Sequence, residues 1–219
     1  MATILRFFWK RQRWVIEVKG GVRLKRFLDV LISATLLLGL APLFLIVVLL
    51  IKLCDGGPVI YWQTRVGRWG RPIRFPKFRT MVVDADERKA SLLSMNAHGR
   101  DITFKMKTDP RVTRLGRFLR KYSIDELPQV WLVLKGEMSL VGPRPGLEDE
   151  VARYGPFEKH RLTIIPGLTC IWQVSGRGDL PFRRQFEMDM EYIQRQSLWL
   201  DLGLLAKTIP VVLSGKGAY

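Results

Sequence analysis

Residues Val30 to Ile51 read VLISATLLLGLAPLFLIVVLLI, 22 positions without a charge. As one α-helix this run would be ~33 Å long, enough for a hydrocarbon core of ~30 Å. It is a poor signal peptide: it is too long, begins too late, and has no small-residue cleavage site before Lys52. The segment belongs in a membrane, and its flanks decide how. Arg6, Lys10, Arg11, Arg13, Lys19, Arg23, Lys25 and Arg26 precede it; Lys52, Arg65, Arg68, Arg71, Arg74, Lys77 and Arg79 follow. Basic flanks stay on the cytoplasmic side, so a spanning helix would strand one of them. Pro42, just after Gly39, removes a backbone donor near the middle of the run and favours a kink. A re-entrant helix–break–helix turned at Pro42 satisfies both observations. A straight single-pass anchor with a tolerated proline is the alternative.

Composition supports a membrane-surface protein. The chain has 219 residues, 36 Lys+Arg against 20 Asp+Glu, a net charge of +16, and 47% hydrophobic residues. High charge implies disorder only when hydrophobicity is low. A plain nucleic-acid-binding domain accounts for the charge but not the apolar content, so no nucleic-acid partner is expected. A basic, apolar chain suits anionic membrane lipids. Cys54 and Cys170 are too far apart for a CxxC pair, which excludes a disulfide scaffold or cysteine-rich zinc site. With only His98 and His160, a His-rich metal site is excluded and a Ser-His-Asp triad has few candidates. Chemistry is left to carboxylates, Lys, Arg and a hard cation.

Three regions follow. Residues 1–22 are a basic aromatic lead-in whose Phe7, Phe8, Trp9 and Trp14 suit the membrane interface. Residues 23–53 form the re-entrant hairpin, and 54–219 the catalytic domain. Within the last, Pro58–Gln63 and Ile73–Met81 read as strands of a small β-hairpin turned at Gly67–Gly70. Asp84–Ser94 reads as a helix. A second helix is expected from Asp109-Pro110, with Asp as N-cap and Pro at the first helical position. Its apolar Val112, Leu115, Phe118, Leu119 and Tyr122 lie beside a row of Arg111, Arg114, Arg117 and Arg120. Such a basic amphipathic helix can lie on headgroups, present cations to a phosphate, or simply face water. The fold class is α+β, mainly helical: a monotopic membrane protein with interfacial amphipathic helices. Phe182, Phe186, Met190, Ile193 and the Leu198-Trp199-Leu200 stretch fit either that interface or a core.

The chemical centre is Ser123 to Pro145, SIDELPQVWLVLKGEMSLVGPRP. Ser123 with Glu126 fits a capping box, although Asp125 as N-cap accommodates Pro128 more easily. Either way both acids sit at a helix start, which favours the ionised carboxylate. An ionised Asp can attack phosphorus. A neighbouring Glu can hold Mg²⁺, which binds one or two carboxylates plus substrate phosphates. An acidic pair that merely caps a helix is the alternative. Gly142-Pro143-Arg144-Pro145 is a stiff loop holding one arginine, able to grip a phosphate with two parallel hydrogen bonds or to sit on a structural turn.

These residues resemble the bacterial sugar transferase family, the monotopic polyprenyl-phosphate phosphoglycosyl transferases, from about Leu24 to Tyr219. The likeness rests on Lys25-Arg26-x-x-Asp29, Lys77-Phe78-Arg79-Thr80-Met81, Thr108-Asp109-Pro110-Arg111 and Asp125-Glu126-Leu127-Pro128-Gln129. It continues through Leu134 to Pro145, Pro166-Gly167-Leu168-Thr169, Trp172 to Arg177, and an aromatic helix from Tyr192 to Asp201.

The resemblance implies a specific reaction. The aspartate of the dyad attacks the sugar-linked phosphate of a UDP-sugar, releases UMP, and passes the phosphosugar to undecaprenyl phosphate. By position Asp125 is the implied nucleophile and Glu126 the implied Mg²⁺ ligand. Lys77, Arg120 and Arg144 are the implied phosphate contacts, with Asp189 and Asp201 further candidates for the polar site. It also implies a re-entrant hairpin at the bacterial inner membrane, with the catalytic domain on the cytoplasmic face. Two positions depart from the pattern: Ala41-Pro42 replaces the frequent Ser-Pro, and Leu132 stands where Asn is common. The four-helix N-terminal module of larger relatives is not seen, so the likeness is to a minimal form. A single chain does not distinguish UDP-sugars, and a homodimer stays open.

Overall fold

The computed structural model describes residues 2–92, 109–215 and 217. Thr108 and the Ser94 end of the expected helix lie outside the described residues, as do the side chains of Phe7, Phe8, Trp9 and Trp14. Helix α1 (Ala2–Gly39) runs unbroken through the expected boundary at 22/23 and is followed by α2 (Ala41–Asp55). The two apolar arms, Gly21–Gly39 and Ala41–Cys54, are bent by 56°. Among the described residues no single helix is long and apolar enough to cross a membrane; this bent pair passes only together.

The break falls at Leu40 (φ −92°, ψ 2°), with Pro42 in the first turn of α2. A proline is tolerated there because that N–H has no intrahelical duty in a new helix, whereas a continuous helix would need it for the Leu38 carbonyl. Leu31, Leu38, Leu45, Ile46, Leu49 and Leu53 face outward from the pair. Val47 and Ile51 instead pack with Phe78 and Leu119 from later in the chain.

Strands β1 (Ile60–Val66) and β2 (Pro72–Phe78) form the expected antiparallel hairpin, in register from Ile60↔Phe78 to Val66↔Pro72. The turn is closed where Gly67 N–H donates to the Arg71 carbonyl at 2.7 Å. Helix α3 spans Ala85–Leu92. Helix α4 (Arg114–Lys121) starts four residues later than Asp109-Pro110 suggested. Asp109 turns its carboxylate onto Arg111, and Val112 bridges to Met81, so Thr113 becomes the N-cap, accepting from Gly116 N at 2.9 Å. The expected arginine row therefore divides: Arg111 is buried off the helix, while Arg114 and Arg117 face outward.

A 3-10 turn (Ile124–Gln129) leads into α5 (Val130–Lys135). Beyond it come β3 (Ser139–Val141), β4 (Gly146–Leu147), α6 (Glu148–Val151), β5 (Gly167–Thr169) and α7 (Ile171–Ser175). The sequence did not suggest β4, which joins the hairpin as a third strand beside β1 and draws the Pro-Arg-Pro loop onto it. Strands β3 and β5 pair in parallel at unusually close approach: a Cβ on Gly167 would lie 2.0 Å from Gly142 N. That contact explains the glycines of Gly142-Pro143-Arg144-Pro145 and Pro166-Gly167-Leu168-Thr169.

The aromatic helix expected over Tyr192–Asp201 is two helices, α8 (Phe182–Arg195) and α9 (Leu198–Ser214). Ser197 breaks the run because its hydroxyl caps α9, accepting from Leu200 N at 3.2 Å. Phe182 and Phe186 pack in a core cluster with Tyr154, whereas Trp199 stays 84% exposed. The main core joins Ile73 and Phe75 of β2 to Leu132 and Val133 of α5, with Leu140, Tyr192 and Leu204. Leu132, the departure from the family pattern, is thus a core side chain.

The Lys25-Arg26-x-x-Asp29 motif fastens α1 to this core. The Arg26 guanidinium donates to the Val133 and Leu134 carbonyls at 2.5 and 2.6 Å, meeting the negative end of α5. Gly136 ends that helix at φ +84°, a conformation glycine adopts without strain. Asp29 accepts from Leu140 N at 3.1 Å, and Lys25 pairs with Asp201 at 2.5 Å.

Candidate active site

Asp125 and Glu126 sit inside the 3-10 turn, which packs on β2. Neither expected cap is present: Ser123 makes no capping bond and instead adopts φ +54°. A non-glycine residue there is strained, and strain of this kind concentrates at functional positions.

Alternation along β2 puts Ile73, Phe75 and Lys77 on one face. Lys77 Nζ reaches Glu126 Oε1 at 3.0 Å. From the other side Arg144 donates through Nη1 to Glu126 Oε2 at 3.0 Å, and through Nη2 to Glu126 Oε1. Glu126 is therefore held on both oxygens. Phe75, fully buried, forms the floor, with Arg65, Lys77 and Arg144 lying 4.8, 5.9 and 5.9 Å from its ring centre.

The two acids titrate in opposite directions. Burial pushes the Asp125 carboxyl up to about 6; Lys77 opposes this shift and the Glu126 charge adds to it. Burial also acts against the Glu126 carboxylate, but Arg144 and Lys77 outweigh it and hold the group well below its ordinary range. Among the described residues no side chain or amide donates a hydrogen bond to the Asp125 carboxylate. An adjacent pair whose environments separate their proton affinities is the usual sign of divided roles. Here one acid is locked and the other is open.

The surrounding cations are built in. Arg120 on α4 donates from Nε to Thr80 Oγ1 at 2.9 Å, and its charge acts on both acids. Burial lowers its proton affinity and that of Lys77, so each is a partly desolvated cation. Sequence reasoning missed two more. Burial, then the Arg144 charge, pushes Arg65 down to about 10. Arg177, at φ +51°, places Nη2 3.4 Å from Ser123 Oγ, and its charge is felt at Glu126. Arg65 carries no local motif. Arg177 lies between Gly176 and Gly178, a flanking that marks a special backbone position.

Asp189 and Asp201 contact neither acid of the dyad. Asp189, fully buried on α8, pairs with Arg161 at 2.7 Å. Asp201 accepts from the Tyr192 hydroxyl at 2.7 Å besides pairing with Lys25, so it joins α9 to α1. Among the described residues no group of three or more His, Cys, Asp and Glu side chains gathers to hold a metal. The hard oxygen donors of the dyad still suit Mg²⁺, provided a substrate phosphate completes its ligands.

Comparison with known proteins covers the same stretch. The family described as bacterial sugar transferase matches residues 21–215. The exopolysaccharide production protein ExoY of Sinorhizobium fredii is 41% identical over 97% of this chain and 95% of that protein. The undecaprenyl-phosphate galactose phosphotransferase of Salmonella typhimurium is 44% identical over 99% of this chain but 47% of that protein. The galactosyl transferase CpsE of Streptococcus agalactiae is 46% identical over 89% of this chain and 43% of that protein. The chain thus spans less than half the length of two of these relatives and nearly all of the third. The aligned stretch holds the locked glutamate, the open aspartate and every cation around them, and the chain belongs to the bacterial sugar transferase family.

Proposed function

We propose that the chain transfers a sugar 1-phosphate from a UDP-sugar to undecaprenyl phosphate, and so begins lipid-linked glycan assembly at the inner membrane of a bacterium. The observation that carries this reading is the contrast within the dyad: Glu126 is held by Lys77 and Arg144, while the Asp125 carboxylate accepts no hydrogen bond from the described residues. A carboxylate that is desolvated and unpaired is a competent nucleophile toward phosphorus.

The residues suggest two displacements. In the first, an Asp125 oxygen bonds to the sugar-linked phosphorus, the bond from that phosphorus to the bridging oxygen breaks, and UMP departs with the electron pair. In the second, a phosphate oxygen of undecaprenyl phosphate attacks the same phosphorus. The aspartyl oxygen leaves, Asp125 is restored as a carboxylate, and the lipid diphosphosugar is formed. Lys77, Arg120 and Arg144 neutralise charge on the phosphoryl oxygens, where positioning and electrostatics supply most of the catalysis. Mg²⁺, when bound, would offset further phosphate charge, with Glu126 as its protein ligand. That role requires Arg144 and Lys77 to turn from Glu126 to the donor's phosphates. The bent pair α1–α2 supports a re-entrant anchor that keeps the site near its lipid acceptor.

Mass spectrometry of the chain mixed with each UDP-sugar alone tests the reading. A phosphosugar adduct on Asp125, with one UMP released per adduct, is expected. Turnover that requires both substrates at once and leaves no adduct would favour direct transfer in a ternary complex.

A further inference from the structure

Pro143-Arg144-Pro145 contains two residues without an N–H, so this segment can be tied down mainly through its carbonyls. All three carbonyls are pinned. That of Pro143 accepts from Gly167 N at 2.9 Å, that of Arg144 from Arg161 Nη2 at 3.2 Å, and that of Pro145 from Arg65 Nη1 at 2.7 Å.

The two arginines are themselves fixed. Arg161 donates from Nη1 to the Tyr154 hydroxyl at 2.9 Å and pairs with the fully buried Asp189 at 2.7 Å. Arg65 lies over Phe75 and donates from Nη2 to Gln63 Oε1 at 3.1 Å. Burying charged groups is a poor route to stability, since well-packed apolar side chains do as well or better. What this arrangement does define is where the Arg144 side chain starts. With its backbone held on both sides, Arg144 can exchange Glu126 for a phosphate without its base moving.

We infer that Arg161, with Asp189 as its counter-ion, and Arg65 are positioning residues that aim Arg144 at the donor's phosphate. The inference rests on the transferase reading above and deepens it. It also assigns Asp189, which does not touch the dyad, a route to the chemistry: through Arg161 to the Arg144 carbonyl.

A double-mutant cycle in the full chain tests this, in vesicles of phosphatidylethanolamine and phosphatidylglycerol with undecaprenyl phosphate. Asp189→Asn and Arg65→Met are each made in the native chain and in Arg144→Ala, and kcat/KM for the UDP-sugar is read from UMP release. In the native background each should lose about 10- to 100-fold, the penalty typical of a displaced catalytic group. In Arg144→Ala the further loss should be under about 3-fold, because the residue they aim is gone. Equal losses in both backgrounds, or none in the first, would overturn the inference. Arg65→Lys, which keeps one donor for the Pro145 carbonyl, should recover part of the loss. If Asp189→Asn does not fold, the Arg65 half of the cycle decides the matter.

Hydrogen exchange supplies a readout independent of turnover. The Arg144 and Gly146 amides should exchange faster in Arg65→Met while the β1–β2 amides do not change. Unaltered exchange at 144 and 146 would overturn the positioning role. If the native chain releases no UMP from any UDP-sugar, the transferase reading fails, and exchange still decides whether the clamp exists.

Discussion

Asp125 and Glu126 are consecutive residues of one 3-10 turn with opposite surroundings: Lys77 and Arg144 bind both carboxylate oxygens of Glu126, and no described residue donates to the Asp125 carboxylate. Each of their consequences is measurable.

The first concerns pH. A nucleophilic Asp125 must be ionised, and burial has moved its pKa to about 6. Glu126, held well below its ordinary range, keeps its charge throughout. The rate of adduct formation should therefore be level above about pH 7 and fall roughly tenfold per unit well below pH 6. Single-turnover UMP release between pH 4.5 and 8 checks this. A rate independent of pH down to 4.5 would remove Asp125 from the role.

The second concerns stability. Asp125 has a folded pKa raised from 3.8 to about 6, so its contribution is most favourable below pH 4 and is lost as pH rises through 6. At pH 8 the buried charge costs on the order of 2–3 kcal/mol, from ~1.4 kcal/mol per unit. Asp125→Asn should abolish turnover and raise the thermal midpoint at pH 8 by several degrees, with a much smaller gain at pH 4.5. Equal shifts at both values would contradict the account.

The third is steric. In Gly167→Ala the new methyl carbon would lie 2.0 Å from Gly142 N, with backbone rather than a flexible side chain opposing it. The β3–β5 pair would have to separate, at a cost beyond the ~0.5–3 kcal/mol of ordinary substitutions. The variant should yield little folded protein, whereas Gly203→Ala, with open space around it, should express normally.

The fourth is topological. Cysteine labels introduced before Leu24 and after Lys52 should react from the same side of sealed vesicles, given the 56° bend between the arms. Labels on opposite sides would replace the re-entrant arrangement with a single pass.

Periodicity and turn chemistry made the β1–β2 hairpin and the broken apolar helix readable from local residues, because each depends on neighbours in the chain. Local reasoning failed at Asp109. A good capping residue before a proline looks like a helix start, but an ion pair with Arg111 and a bridge from Val112 to Met81 outweigh it. Lys77, Glu126 and Arg144 stood out through their motifs, yet the bonds that join them through Glu126 cross 49 and 18 positions and no pattern encodes them. Arg65 and Arg161 act on carbonyls far along the chain, and nothing beside them in the sequence points there. Asp189 and Asp201 entered only through the family resemblance, and which cation each one meets depends on packing.

The clasp of α1 on the core also acts as a ruler. Asp29 is tied to Leu140, and the break comes at Leu40, 11 positions further along an uninterrupted helix. At 1.5 Å per residue that arm is ~16 Å, close to the thickness of one leaflet of a ~30 Å hydrocarbon core. One residue inserted between them would lengthen the arm by only ~1.5 Å but rotate the bend by ~100° about the α1 axis. α2 would then leave in a different direction, away from Phe78 and Leu119, where Val47 and Ile51 now pack. The spacing from clasp to bend therefore governs direction more tightly than depth, and a deletion or insertion there should separate anchoring from activity.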